Sequence, residues 1–355
     1  MNIAFFGSSL VSAYWNGAAT YYRGLLKALH ARGHSITFYE PDAYERQQHR
    51  DIETPDYARV VVYENDENAA FRALEQAKAA DLIVKASGVG VFDELLEAGV
   101  LTLKTSKNHV VFWDVDAPAT LERVEADAGD VFRALVPRYD AIFTYGGGNP
   151  VVSAYQKLGA KMCVPIYNAL DSTTHFPGQT DTRFSGNLGF LGNRLPDREA
   201  RVEAFFLDVA ASLPEKQFVL GGSGWNGKLM SENVRYVGHV YTHDHNAFNA
   251  TPLAVLNIAR DSMARFGFSP ATRVFEAAGG AACLISDFWE GIEQFFEPNQ
   301  EILVARDGAE VASILQDLTP ERARQIGQNA LKRARAEHLY EHRAGAVEAA
   351  LGIRE

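Results

Sequence analysis

The sequence predicts an α/β protein made of two Rossmann-like domains facing each other across a cleft. Three observations predict it. Short apolar, β-rich runs alternate with amphipathic helix patterns along most of the chain, the signature of βαβ units and parallel sheets. The alternation pauses at a polar, turn-forming stretch, Asp171-Ser172-Thr173-Thr174-His175-Phe176-Pro177-Gly178, and then restarts. The chain has 355 residues, long for one α/β domain and sufficient for two.

The elements follow in order. Asn2–Phe6 is an apolar run that stops at Gly7, so it reads as a first strand and not as a signal peptide. A helix follows Asn16-Gly17, with Ala18, Tyr22, Leu25, Leu26 and Leu29 on one stripe; Gly33 suits its C-cap, and Ser35–Tyr39 is the next strand. Further strands are expected at 59–63, 81–85, 109–113, 141–144 and 161–165, with helices at 68–80 and 151–158 among them. Past the linker, strands are expected at 188–191, 217–220, 234–237, 253–257, 282–286 and 302–304, and an Arg/Ala/Glu-rich helical tail begins near Pro320. The expected domains are residues 1–175, which would hold the acceptor, residues 176–325, which would hold the donor, and helices over 326–355 packing back toward the first domain.

Composition narrows the function. The chain is 47% hydrophobic and 22% charged with a formal net charge of −11, which is the opposite of a nucleic-acid-binding footprint. An acidic balance still admits a phosphate ligand, because a few arginines and a helix N-terminus suffice to hold one. No apolar stretch approaches the roughly 20 residues that span a bilayer. The two cysteines, Cys163 and Cys283, sit far apart in apolar runs and read as buried free thiols, so a cytoplasmic location is expected. The oligomeric state leaves no mark in the sequence.

In open parallel sheets, ligands bind beyond the carboxyl ends of the strands, so the chemistry is sought in the loops that follow strands. The richest segment runs from Arg265 to Gly280. Ser269-Pro270 reads as the opening of a helix, whose free amides form an anion site with Arg273 one turn in. Glu276 lies three residues further on the same face, placed to accept hydrogen bonds from two ribose hydroxyls. The plain alternative is an exposed Arg273–Glu276 ion pair of little consequence. In the first half, Asp114 and Asp116 follow a strand, and either could take a hydroxyl proton as general base, or Asp116 could cap the helix starting near Pro118. Gly7, Ser8, Asn16 and Gly17 form a loop suited to a phosphate or sugar, without a GxGxxG fingerprint. Thr242-His243-Asp244-His245 lacks a third metal ligand at fixed spacing and reads as a polar helix start, and Gly221-Gly222-Ser223-Gly224 reads as a flexible cleft loop.

The 265–280 segment, continued by Ala281–Asp287, resembles the nucleotide-sugar motif of GT-B glycosyltransferases, and in particular the CgeB-like, spore-maturation group. Leu188-Gly189-Phe190-Leu191-Gly192-Asn193 with Arg198 following, Val237-Gly238-His239-Val240, Leu256–Arg260, Asp287–Gly291 with Phe295-Phe296, and His338–Arg343 match the same group. The resemblance is strong over 185–345 and looser over 1–175. It implies a hexosyltransferase that moves a sugar from a nucleoside diphosphate sugar, its co-substrate, to an acceptor hydroxyl, with no metal or other cofactor. It further implies that Glu276 binds the ribose and that Arg273, Arg260 and Arg194 balance the diphosphate. Gly238 and His239 would line the base, Ser269 and Thr272 would donate to phosphate, and Asn193 would join the donor set. Many retaining GT-B enzymes carry an earlier glutamate in this motif, where Arg265 or Phe266 stands here, so the stereochemical outcome stays open. Asp114-Val115-Asp116 is also a DxD, the metal–nucleotide motif of the GT-A fold, but that fold has no place for the second series of strands. A nucleotide-sugar epimerase of the same fold, or a catalytically silent nucleotide-sugar-binding protein, are the alternatives.

Overall fold

The apolar runs form strands because parallel sheets are covered on both faces, which demands near-continuous hydrophobic segments rather than alternating ones. The computed structural model describes residues 1–14 and 16–353. By its internal packing the chain divides into two units, Met1–Asn168 with Tyr340–Glu355, and Ala169–Leu339. The expected boundaries at 175 and 325 thus shift to 168 and 339, and the helical tail is shared between the units.

In the first unit the elements run β1 (Asn2–Phe6), α1 (Ala19–Ala31), β2 (Ser35–Pro41), β3 (Arg59–Tyr63), α2 (Glu67–Ala77), β4 (Leu82–Ala86), α3 (Asp93–Thr102), β5 (His109–Asp114), α4 (Ala117–Ala126), α5 (Val131–Leu135), β6 (Ala141–Thr144), α6 (Gly148–Lys157) and β7 (Cys163–Pro165). Among the described residues they build a seven-stranded parallel sheet of order β3-β2-β1-β4-β5-β6-β7. The order reverses between β1 and β4. All five residues of β4 are buried, including Lys85, whose Nζ pairs with Asp93 Oδ1 at 2.6 Å. Helix α1 buries Tyr21, Tyr22, Leu25, Leu26 and Leu29, and it ends before Gly33, whose φ of 90° lets the chain turn back.

The second unit runs β8 (Leu188–Leu191), α7 (Glu199–Val202), a π-helical stretch (Glu203–Leu207), α8 (Asp208–Ser212), β9 (Phe218–Gly221), β10 (Val234–Gly238), α9 (His245–Ala250), β11 (Ala254–Asn257), α10 (Asp261–Phe266), α11 (Thr272–Gly279), β12 (Leu284–Asp287), β13 (Leu303–Ala305), α12 (Gly308–Asp317) and α13 (Pro320–Glu337). Its six-stranded parallel sheet has the order β10-β9-β8-β11-β12-β13, reversing between β8 and β11. Caps start these helices where the sequence places Asp or Thr. Asp307 accepts from the Glu310 amide at the start of α12, and Thr319, ahead of Pro320, from the Arg322 amide at the start of α13. The core of this unit gathers Leu188, Phe190, Phe206, Phe218, Leu256 and Ile285 between its sheet and helices.

The last helix, α14 (Tyr340–Ala350), completes the first unit. Glu348 is buried and accepts from Arg32 Nε at 2.8 Å and lies 2.9 Å from His34 Nε2. Arg343 donates to the Tyr167 and Asn168 carbonyls. Both cysteines are buried and free, and burial pushes each thiol up to about 12, so both are inert at neutral pH. Among the described residues no helix is long and apolar enough to cross a membrane.

Candidate functional site

The second unit's switch point lies beyond the carboxyl ends of β8 and β11, which places the 192–198 and 258–271 loops there. Two glycines make the first loop possible. A Cβ on Gly222, which has φ 119°, would lie 2.2 Å from the Gly192 carbonyl oxygen, so the two loops touch through backbone. The Ser223 amide donates to Asn193 Oδ1 and the Trp225 indole to the Gly192 carbonyl. The 221–224 stretch, expected to be flexible, is therefore an ordered brace, and Asn193 is its anchor.

Three arginines converge on this end. Arg198 lies over the Phe190 ring and donates to the Asn193 carbonyl at 2.7 Å, while its Nε has no hydrogen-bond partner. Burial lowers its pKa first, and the nearby Arg273 and Arg260 guanidinium groups push it further down against the pull of Asp197. Arg260 pairs with Asp197. Arg194 does not join them, because its guanidinium is held by Glu199 at 2.7 Å, which Lys228 also shares.

The segment after β11 departs from the expected loop. Asp261–Phe266 is the helix α10, ended by Gly267 at φ 69°. Phe268, with φ 46°, donates its amide to the Glu290 carbonyl, and its ring fills the space that a Cβ on Gly291 would need. Ser269 and Pro270 do not open a helix: Ser269 is buried, its Oγ donates to the Gly267 carbonyl, and α11 begins at Thr272 with Ala271 as cap. The Ser269 hydroxyl is thus spent inside the loop. Thr272 and Arg273 occupy the first turn of α11.

Arg273 and Glu276 stand one turn apart, with Nη1 to Oε2 at 3.3 Å and side chains only 19% and 11% exposed. That burial rules out the surface ion pair, because such a pair leaves both groups in water. Arg273 Nη1 itself has no hydrogen-bond partner. The other Glu276 oxygen, Oε1, lies 3.8 Å from His175 Nε2, and that nitrogen lies 3.4 Å from His245 Nδ1. Burial would raise the Glu276 pKa, but Arg273, His175 and His245 outweigh it and hold the carboxyl below its ordinary value. Both imidazoles are kept neutral, chiefly by burial: His175 is lowered, and His245 falls to about 4 with Arg273 contributing. His245, expected on a polar surface at a helix start, in fact opens α9 facing this group.

Gly238 ends β10 at φ 73°, and His239 after it is exposed, edge-on to Tyr241 with ring centroids 4.5 Å apart. Tyr241 stacks in turn on His243. These rings are an exposed aromatic surface next to the strand end.

In the first unit the structure corrects the reading of Asp114. It is fully buried and accepts four hydrogen bonds, from Ser87 Oγ, the Asp116 amide, Thr120 Oγ1 and Tyr155 OH. Burial nevertheless raises its pKa. A carboxylate so enclosed cannot take a proton from a substrate; it ties β4, β5, α4 and α6 together. Asp116 sits half-buried at the cap position of α4, with no side-chain bond to the first turn. Ser8 and Asn16 are likewise turned inward: Ser8 Oγ donates to Asn16 Oδ1, and Asn16 Nδ2 donates to the Ser9 and Ser12 carbonyls. Gly7 packs on the Phe38 ring, and Gly17 is exposed with open space around it. Among the described residues of the 7–17 loop, Ser8 and Asn16 are therefore turned inward, bonded to each other and, through Asn16, to the loop's own carbonyls.

Sequence reasoning gave no role to Arg198, though it stands 5 residues after Asn193 in the same loop. It also missed His175 and His245, whose convergence on Glu276 has no sequence signal.

Residues 198–349 match the family model described as glycosyl transferase-like. Sucrose-phosphate synthase from Thermosynechococcus elongatus is similar in structure, with a TM-score of 0.70 at 14% identity, over 99% of this chain and 98% of that one. Anabaena HepE in complex with UDP gives a TM-score of 0.70 at 13% identity, over 99% and 100%. T4 phage BGT in complex with its UDP-glucose substrate gives 0.60 at 13% identity, over 99% of each chain. No curated protein matches in sequence. At such identities the likeness is one of architecture: the chain has the GT-B fold, and its residues 198–349 carry the glycosyl transferase-like pattern.

Proposed function

We propose that this chain is a glycosyltransferase that moves a sugar from a nucleoside diphosphate sugar to an acceptor hydroxyl. The observation that carries the reading is the buried Arg273–Glu276 pair on α11, beside Arg198 and Arg260 at the switch point of the second sheet. An ionised, partly desolvated carboxylate is suited to accept both ribose hydroxyls. Three guanidinium groups together with the first amides of α11 balance a departing diphosphate without a metal ion. Gly238 and His239 line the base. The similarity to the glycosyl transferase-like family supports the class, and the UDP and UDP-glucose complexes of HepE and the phage enzyme favour a UDP-hexose as donor. With Asp114 enclosed, Asp116 is the general base of this reading, and the CgeB-like group is the subgroup its motifs favour.

Calorimetric titration with UDP tests the donor site. Glu276→Ala and Arg273→Ala are each expected to weaken UDP binding by roughly 1–3 kcal/mol, about five- to more than a hundredfold in Kd. Unchanged affinity in both would remove the basis of the assignment. Asp116→Asn should leave UDP affinity intact and abolish transfer from UDP-glucose; full activity in that variant would exclude Asp116 as the base.

A further inference from the structure

We infer that His175, His245 and Glu276 form a binding site for a zinc-class divalent ion. Their ligand atoms all lie within 4.8 Å of one another. Around a tetrahedral ion with bonds of about 2.0–2.1 Å, ligand atoms stand about 3.4 Å apart. The His175–His245 separation of 3.4 Å meets that spacing, and the His175–Glu276 separation of 3.8 Å exceeds it by little. Two nitrogens and one oxygen suit Zn2+, Co2+ or Ni2+, whereas Mg2+ and Ca2+ seek oxygen ligands alone.

The outer contacts of the three residues match those of metal-bound groups. His175 Nδ1 lies 3.0 Å from Thr174 Oγ1, so the second nitrogen of that ring is engaged away from the cluster. Arg273 engages Glu276 Oε2 and leaves Oε1 toward the imidazoles. The ligands are also held in place before any ion arrives. Phe176 N donates to Asn246 Oδ1, and Asn246 Nδ2 donates to the Thr174 carbonyl, which locks the His175 turn to the start of α9. Gly279 of α11 packs without a Cβ against the His175 carbonyl and Leu170. Three protein ligands leave a fourth position, and the partial exposure of His245 gives the ion a way in.

One consequence rests on the proposed function: Glu276 cannot hold the metal and a ribose together, so the ion inhibits by occupying the pentose seat. The full chain, stripped with EDTA, is titrated calorimetrically with Zn2+ and, in parallel, with Co2+ while visible absorption is followed. One equivalent is expected to bind, with the intense d–d absorption of tetrahedral cobalt, and Mg2+ is expected not to bind. His245→Ala and the conservative Glu276→Gln should weaken Zn2+ binding at least tenfold, while His243→Ala, on the exposed neighbouring ring, should not change it. Absence of stoichiometric binding, or equal affinity in His245→Ala and the parent chain, overturns the site. Uridine, which has no phosphates to chelate the ion, should lower Zn2+ affinity. If the ion binds through these residues and uridine has no effect, the metal site stands and the ribose role of Glu276 falls.

Discussion

Asp114 and Asp116 are two residues apart and play opposite parts. Asp114 is consumed by four donors, while Asp116, half-buried at the start of α4, does not cap that helix with its side chain. A DxD in sequence shows two acids after a strand but not Ser87, Thr120 and Tyr155 closing over the first of them. Glu97 shows the same limit from the side of stability. It is 3% exposed, its Oε2 has no hydrogen-bond partner, and burial lifts its pKa to about 7, against the pull of Lys85 and Arg123. A raised carboxyl pKa means that the folded state holds the proton while the unfolded chain has released it. Stability therefore falls as pH rises from about 4.5 to 7, by roughly 3 kcal/mol at most. Glu97→Gln should then raise the melting temperature at pH 8 and change it little at pH 4.5. An equal gain at both values would show that the carboxyl stays ionised in the folded protein.

At the level of elements, the strands were legible and the loops after them were not. Each apolar run became a strand within a residue or two because a strand covered on both faces admits few polar residues, as Leu82–Ala86 illustrates. Arg273 and Glu276 were legible as neighbours because three-residue spacing puts them on one side of α11. Helix α10 was missed because Gly267 and Pro270 dominate the local reading, although both act after it ends. The three-way meeting of His175, His245 and Glu276 was beyond reach, since it joins a linker, α9 and α11 across about a hundred residues. Packing of α1 on α14 gives a sharp test. A Cβ on Gly24 would lie 2.2 Å from the Tyr340 ring, which is itself buried. Gly24→Ala should cost about 1–3 kcal/mol by overpacking, read as a lower melting temperature; if stability rises instead, α14 is not seated tightly on α1.

At the scale of the whole chain, the two-sheet plan was legible from the restart of strands after Gly178, but the exact partition was not. Nothing in the composition separates α13 from α14; Glu348 reaching Arg32 and His34, Arg343 reaching the Tyr167 and Asn168 carbonyls, and Tyr340 packed on Gly24 assign the latter to the first unit. Residues 169–339 are a continuous unit and should unfold cooperatively when expressed alone. Residues 1–168 alone should show no cooperative transition, and fusing 340–353 to them through a flexible Gly/Ser linker should restore one. A sharp thermal transition in unfused 1–168 would make α14 dispensable. The consequence reaches back to synthesis. As the ribosome works from the amino end, the half begun first is the half finished last, for its closing helix is translated only after the entire other half. Its sheet must wait with α1 uncovered, so chaperone demand should fall on that early-made segment, and nascent chains halted shortly after residue 339 should be most vulnerable to protease there.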